Sequence, residues 1–238
     1  MKGKVYLIGA GPGDPELLTI KALRALRAAD LVLHDELASK EIIALAPPGA
    51  EIRNVGKRCG QKRVPQESIH DQMIHAANSG LAVARLKAGD PLIYGRAGEE
   101  IEALCVAGID FEVIPGVTAA SAAAAAAKVP LTHRHLASKL VFLTGHHCAE
   151  KEQPDWSSLA TDSTIIVYMP GAPYSYIAAE LRRAGVDKQT PCLIMSQVSK
   201  PESQVRWTTV GQLPQTPPLP APSVLLVGEV ISISSSFR

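Results

Sequence analysis

The chain has 238 residues, 46% of them hydrophobic and only 4% aromatic, with 24 Lys and Arg against 23 Asp and Glu. That is enough apolar material for one large or two small domains cored by Ala, Val, Leu and Ile, and the near-neutral balance argues against nucleic acid or another long polyanion as the main partner. Four isolated cysteines, Cys59, Cys105, Cys148 and Cys192, make neither a disulfide framework nor a paired zinc spacing, and no apolar run approaches the roughly 20 residues of a membrane span, so a cytoplasmic protein with no leader and no membrane anchor is expected.

Residues 5–8, Val-Tyr-Leu-Ile, read as a strand that runs into the turn Gly9-Ala10-Gly11-Pro12-Gly13-Asp14-Pro15. A helical face of Leu17, Leu18, Leu23 and Leu26 opens there, with Asp14 as cap and Pro15 at the first position. Residues 31–33 form a second strand ending at His34-Asp35. Ser39 starts a short helix that Pro47 and Pro48 stop, and residues 51–55 form a weak strand ending at Gly56-Lys57-Arg58. Pro65 opens a helix through Ile69, Met73 and Ile74 that closes near Gly80. Residues 81–86 are the next strand, entering a second glycine turn, Ala88-Gly89-Asp90-Pro91. A helix over 97–107 carries Glu99, Glu100 and Glu102 near its start, where the dipole favours them, and residues 111–114 return as a strand. Strands alternating with helices predict right-handed crossovers and a mostly parallel sheet.

Pro115-Gly116 interrupts the alternation, which places an N-terminal α/β domain at 1–115 and a C-terminal one at 116–238. The second opens with an alanine-rich helix, 118–128, whose small side chains favour helix and close packing. Strands follow at 140–144, 164–169 and 191–197, with a helix over 176–184. The last two strands, 205–210 and 223–230, are joined by a proline-rich loop with no helix between them, so an antiparallel pair in a mixed sheet is expected.

The glycine turns carry the chemistry. Without a Cβ, a strand-end turn lets another molecule approach the backbone, and Asp14 and Asp90 offer acceptors beside it. A dinucleotide fingerprint fits poorly, because its sixth position is Asp14 and Pro12 stiffens its middle, although Asp30 and Asp35 stand near where a ribose-binding acid would. No Gly-Lys-Ser/Thr follows, which excludes a P-loop. Ligands of open α/β sheets bind at the carboxyl ends of strands. The loops at 11–14, 35, 56–58 and 89–90 are therefore expected on one edge, with Lys57, Arg58, Lys62, Arg63, Arg85, Lys87 and Arg96 as a basic rim for an acidic small molecule. The histidines, His146-His147, His70 with His75, and His133 with His135, show no metal-ligand spacing, and no protein-bound metal is expected.

Six segments in order resemble the tetrapyrrole methylases over nearly the whole chain: residues 5–19, Val55-Gly56-Lys57-Arg58, Val64-Pro65-Gln66-Glu67, residues 85–100, Pro115-Gly116-Val117-Thr118-Ala119 and Pro130-Leu131-Thr132-His133-Arg134. The resemblance implies two α/β domains with an active-site cleft between them, S-adenosylmethionine folded there, a tetrapyrrole in a trough beside it, and a homodimer. It implies cofactor contacts from Pro12, Ala88, Gly89, Asp90, Ile93, Thr118, Ala119, Met169 and Val198. It further implies two methyl transfers to ring carbons of uroporphyrinogen III, giving precorrin-2, with S-adenosylhomocysteine as by-product and no metal. Asp35 matches the family's base and Lys57 its proton donor. Arg58, Arg96 and Arg134 are the candidates for the substrate carboxylates.

The chain departs from the usual pattern at Ala88 (often Gly), Leu92 (often Phe), Val198 (often Ala or Gly) and Glu36 (often basic). Later precorrin methylases share the cofactor turns, and the segments at 55–58, 64–66 and 130–134 favour uroporphyrinogen over their substrates. A ribosomal RNA methylase of this fold lacks support without a basic excess. A nicotinamide dehydrogenase is opposed by Pro12 and Asp14, and a non-catalytic binding module by Asp35 and Lys57.

Overall fold

Strands β1 (Lys4–Gly9), β2 (Leu31–His34), β3 (Glu51–Asn54), β4 (Val83–Lys87) and β5 (Asp110–Ile114) form one sheet in the order β3-β2-β4-β1-β5, with every neighbouring pair parallel. Their carboxyl ends therefore lie along a single edge. The computed structural model describes residues 2–56, 64–145, 155–157, 159 and 162–235. The chain divides into two units, Met1–Thr118 and Ala119–Arg238, the division falling just past Pro115-Gly116.

In the first unit the strand pleat sends alternate residues to two cores. Val5, Leu7, Leu31, Leu33 and Val83 pack with Ile69, Met73 and Leu104 of α3 (Gln66–Asn78) and α4 (Ala97–Val106). Ile8, Val32, Ala84 and Leu86 pack on the other face with Ala22 and Leu26 of α1 (Ile20–Arg27) and Ile42 of α2 (Lys40–Ile43). All residues of β2 and β4 are buried, as a parallel sheet covered on both faces requires.

The single helix expected from Asp14 is two pieces. Asp14 Oδ1 accepts from Glu16 N at 2.8 Å and caps only a turn of 3-10 helix, Pro15–Leu17. Leu18 is extended, and Thr19 Oγ1 caps α1 by accepting from Ala22 N at 3.1 Å. Two short polar side chains each cap their own amide, so helix starts twice, and the piece that Thr19 opens is the one whose Ala22 and Leu26 are buried.

The second unit holds α5 (Ala119–Ala127), β6 (Lys139–Thr144), β7 (Ser163–Tyr168), α6 (Ser175–Arg183), β8 (Pro191–Ser196), β9 (Gln204–Thr209), β10 (Ser223–Val227) and the short α7 (Ser232–Ser235). Its sheet is mixed, in the order β6-β7-β10-β8-β9, with only β6 and β7 parallel. The expected pairing of the last two strands is incorrect: β8 lies between them and is antiparallel to both. Composition explains the outcome. The run Val224-Leu225-Leu226-Val227 is wholly buried and belongs at the centre, whereas β9, with Gln204 and Val205 exposed, belongs at an edge. The proline-rich loop is tied down on its way past β8 by Tyr174 Oη, which accepts from Leu219 N at 3.1 Å, and by Gln197 N, which donates to Pro222 O at 2.8 Å. Strand β10 also stops at Val227, short of the expected 230, because Gly228 turns the chain at φ +149° into a 3-10 turn, Glu229–Ile231.

At the carboxyl edge of the first unit, the ends of β1, β4 and β5 meet backbone to backbone. Gly11 N donates to Gly89 O at 3.1 Å and Gly89 N to Gly11 O at 2.7 Å. A Cβ on Gly9 would stand 2.5 Å from Gly116 N, and one on Gly116 would stand 2.3 Å from Gly89 O. Gly116→Ala is therefore expected to cost about 1–3 kcal/mol or more in urea unfolding, while Gly49→Ala, with nothing within 4 Å of the added carbon, is expected to be near neutral.

Candidate active site

The loops that leave β4 and β5 are held together by one carboxylate. Asp90 Oδ1 accepts from Leu92 N at 2.8 Å, and Oδ2 accepts from Gly116 N at 3.0 Å. Ala10 N donates to Lys87 O at 2.7 Å, which adds a third tie. Both glycine-turn aspartates thus cap backbone amides. Asp14 is committed to the turn that follows it, and Asp90 bridges the loops after β4 and β5. An ionised carboxylate has about four acceptor positions, so Asp90 keeps capacity for further donors. Pro12, Ala88 and Ile93 lie partly exposed beside this junction, as do Val117 and Thr118.

β4 is the neighbour of both β1 and β2, so Asp35, at the end of β2, stands next to the junction. Its side chain is 32% exposed, and Oδ1 accepts from Arg85 Nη2 at 2.6 Å. Arg85 and Lys87 alternate along β4 onto the face that α3 and α4 cover. There they meet Glu100 Oε1, which accepts from Arg85 Nε at 3.0 Å and Lys87 Nζ at 2.8 Å.

The expected basic rim is corrected here. Arg85 and Lys87 are each only 2% exposed and belong to a buried ion cluster. Burial works against the Arg85 charge, but Asp35 and then Glu100 outweigh it and hold the guanidinium above its ordinary value. Lys87 goes the other way. Burial first and Arg85 second push its ammonium below the ordinary lysine range, and Glu100 offsets only part of that. Removing one partner from such a cluster costs about 3–5 kcal/mol, because it leaves a buried charge uncompensated. Glu100 escapes sequence reasoning because its place near the start of α4 is explained by the helix dipole alone. The available signal was two cations, two residues apart, on one face of an otherwise apolar strand.

The edge also exposes apolar side chains. Leu37 follows β2, and Leu92 (62% exposed) and Tyr94 follow β4. Arg96 is exposed, at φ +56°, and grips Glu99 of the first turn of α4 with two bonds, Nε to Oε1 at 2.9 Å and Nη2 to Oε2 at 2.6 Å. Lys57 and Arg58, with Lys62, Arg63 and His146-His147-Cys148, lie outside the described residues.

In the second unit, Ala119 is the first residue of α5. Met169 follows β7 at φ +49° with 46% of its surface exposed. Val198 follows β8 between two residues at positive φ, Gln197 and Ser199, and is buried, so it offers little side-chain surface. Arg134 is exposed on a turn closed by reciprocal bonds between His133 and Ala137, both 3.0 Å. Among the described residues, no group of three or more His, Cys, Asp or Glu side chains is placed to hold a metal ion, and no helix is long and apolar enough to cross a membrane.

A parallel sheet with glycine turns and a partly exposed acid at its carboxyl edge, joined in sequence to a mixed α/β unit, defines the class. Residues 4–214 match the family described as Tetrapyrrole (Corrin/Porphyrin) Methylases, and the chain belongs to that family. The particular relatives follow. The chain is 46% identical over 237 residues to a uroporphyrinogen-III C-methyltransferase of Paracoccus denitrificans, covering 98% of this chain and 83% of that protein. It is 44% identical to siroheme synthase 2 of Halorhodospira halophila, covering 98% of this chain but 48% of that longer protein. Among solved structures it is similar to uroporphyrin-III C-methyl transferase from Thermus thermophilus complexed with S-adenyl homocysteine. That match has a TM-score of 0.85 at 38% identity and covers 97% of this chain and 100% of the other.

The depressed Lys87 has a measurable consequence. Below the ordinary lysine value of 10.5 and above its lowered folded value, the unfolded chain binds a proton that the folded chain does not, so stability rises with pH through that window. The unfolding free energy of the wild type relative to Lys87→Met is expected to increase with pH on the approach to the unfolded lysine value. A flat difference in denaturant titrations removes the depressed ammonium.

Proposed function

We propose that the chain is an S-adenosylmethionine-dependent C-methyltransferase that methylates uroporphyrinogen III twice, releasing precorrin-2 and S-adenosylhomocysteine, the step from which sirohaem and cobalamin both derive. One observation carries the reading. The glycine junction and the partly exposed Asp35 share one sheet edge, in a chain 46% identical across 98% of its length to a relative named for this reaction.

The residues fit such a cofactor. Asp90 retains acceptors for hydroxyl or amino groups after capping two amides, the junction presents small residues at Ala88 and Gly89, and Met169 offers half-exposed apolar surface. We assign Pro12, Ala88, Gly89, Asp90, Ile93 and Thr118 of the first unit, and Ala119, Met169 and Val198 of the second, to its binding. S-adenosylmethionine, when bound, supplies a methyl group already activated on a positive sulfur. The protein's part is orientation, which is worth up to about 7–11 kcal/mol of barrier, and proton handling. Asp35 takes the proton that leaves the methylated macrocycle, and Lys57 donates where one is needed.

Leu37, Leu92 and Tyr94 suit the flat face of a macrocycle, and Arg58, Arg96 and Arg134 suit its carboxylates, with Glu99 ceding Arg96 on binding. An exposed free thiol at Cys105 suits a reducing cytoplasm. We infer a homodimer, as the family resemblance implies.

Anaerobic incubation with uroporphyrinogen III and S-adenosylmethionine is expected to add the mass of two methyl groups, read by mass spectrometry and absorbance. A product without that gain rejects the assignment. Asp90→Ala frees the amides of Leu92 and Gly116 and is expected to weaken S-adenosylhomocysteine binding by about tenfold or more in calorimetry, the loss of one to two charge-assisted hydrogen bonds.

A further inference from the structure

Glu100 is fully buried on α4, and three donors converge on one of its oxygens. Lys87 Nζ lies at 2.8 Å, Arg85 Nε at 3.0 Å and Gln66 Nε2 at 3.3 Å from Oε1. The other oxygen, Oε2, has no hydrogen-bond partner among the described residues. All of the carboxylate's hydrogen bonding in the described structure therefore passes through the atom that faces Arg85.

Arg85 is engaged at every nitrogen. Nε donates to Glu100, Nη1 to the carbonyls of Leu33 at 3.4 Å and Leu86 at 3.3 Å, and Nη2 to Asp35 Oδ1 at 2.6 Å. A planar guanidinium fixed at three nitrogens has no freedom left to swing. Among the described residues, Arg85 is the one side chain that hydrogen-bonds the Asp35 carboxylate.

Among the described residues, the other charged and titratable groups nearby are turned elsewhere. His34 Nδ1 meets the backbone carbonyl of Asp35 at 3.0 Å, Glu36 is taken by Asn54 Nδ2 at 2.7 Å, and Lys87 is taken by Glu100. The cluster holds two cations and two carboxylates, so it is electrically balanced. Only Asp35, its outermost member, reaches solvent to any extent.

We propose that Arg85 and Glu100 are positioning residues for Asp35: Glu100, inside the core, fixes the guanidinium, and the guanidinium aims the carboxylate at the sheet edge. The inference rests on the reading of Asp35 as the base. Neither residue reaches the reacting atoms, and both act through Asp35. Lys87 balances the charge that Glu100 brings into the core, which leaves Arg85 to answer Asp35.

The test is a set of double-variant cycles on the full chain, assayed anaerobically with uroporphyrinogen III and S-adenosylmethionine. Arg85→Lys keeps the charge and removes the fork, while Glu100→Gln keeps the shape and removes the charge. Each is made alone and together with Asp35→Asn. If the two residues act through Asp35, Arg85→Lys lowers kcat by about 10- to 100-fold, the scale of a misplaced catalytic group, and Glu100→Gln lowers it by a smaller factor. KM for S-adenosylmethionine and calorimetric affinity for S-adenosylhomocysteine stay unchanged, and neither variant slows the Asp35→Asn protein further.

Loss of the same factor in both backgrounds, or a wild-type kcat in Arg85→Lys, overturns the inference and leaves the base reading standing. Should Arg85→Lys fail to bind S-adenosylhomocysteine, the Glu100→Gln pair decides by the same comparison. A wild-type rate in Asp35→Asn alone withdraws the base, and the inference with it.

Discussion

Where β1, β4 and β5 end, three backbones run closer together than any side chain allows. Gly9 and Gly116 make that approach possible, and the Asp90 carboxylate fastens it by bonding two amides in separate loops. The other features of this edge follow. The loop after β4 is pinned, so Ala88, Leu92 and Tyr94 stay at the rim. Asp35 stands one strand away, with its carboxylate on Arg85 of β4. The constraint is steric first and electrostatic second: a methyl group at one of these glycines displaces a main chain, which has nowhere to go in a sheet packed on both faces.

Much of the fold was legible because it is local. Ser39 before a short helix, Pro65 ahead of a long one and the glycines that close helices each act within a few residues, and the structure follows them. The two-unit α/β architecture was legible for the same reason. What failed was not local. The first helix start was split between two caps, Asp14 and Thr19, and only the piece after Thr19 carries residues buried in the core. The pairing of β9 and β10 depended on which strand could tolerate an edge, a competition between segments far apart in the chain. Arg85 and Lys87 were read by residue type as surface charge, whereas their place on a strand buried on both faces decides the matter. Of the candidate site, Asp35 and the glycine turns fall on one edge. Lys57 and Arg58 fall on residues outside the description.

The ion cluster also changes how the chemistry is viewed. A buried guanidinium gives the Asp35 carboxylate a constant partner, at the cost of burying Glu100 and Lys87 as well. The hydrophobic cores on either face of the sheet make this possible, since they exclude the water that would otherwise loosen the cluster. Sequence neighbours of the cluster therefore carry two roles at once. Residues 85–90 build the middle strand and then turn directly into the glycine junction.

The placement of β10 has a consequence for how the chain comes into being. The first sheet uses strands that all precede residue 115, so every one of its members is made before any strand of the second sheet. The second sheet is different: its middle member is the last strand to be synthesised, and until then β7 and β8 each present an unpaired ladder to any passing chain. The first sheet can thus close as soon as β5 is made, whereas the second waits for β10 to fill its middle.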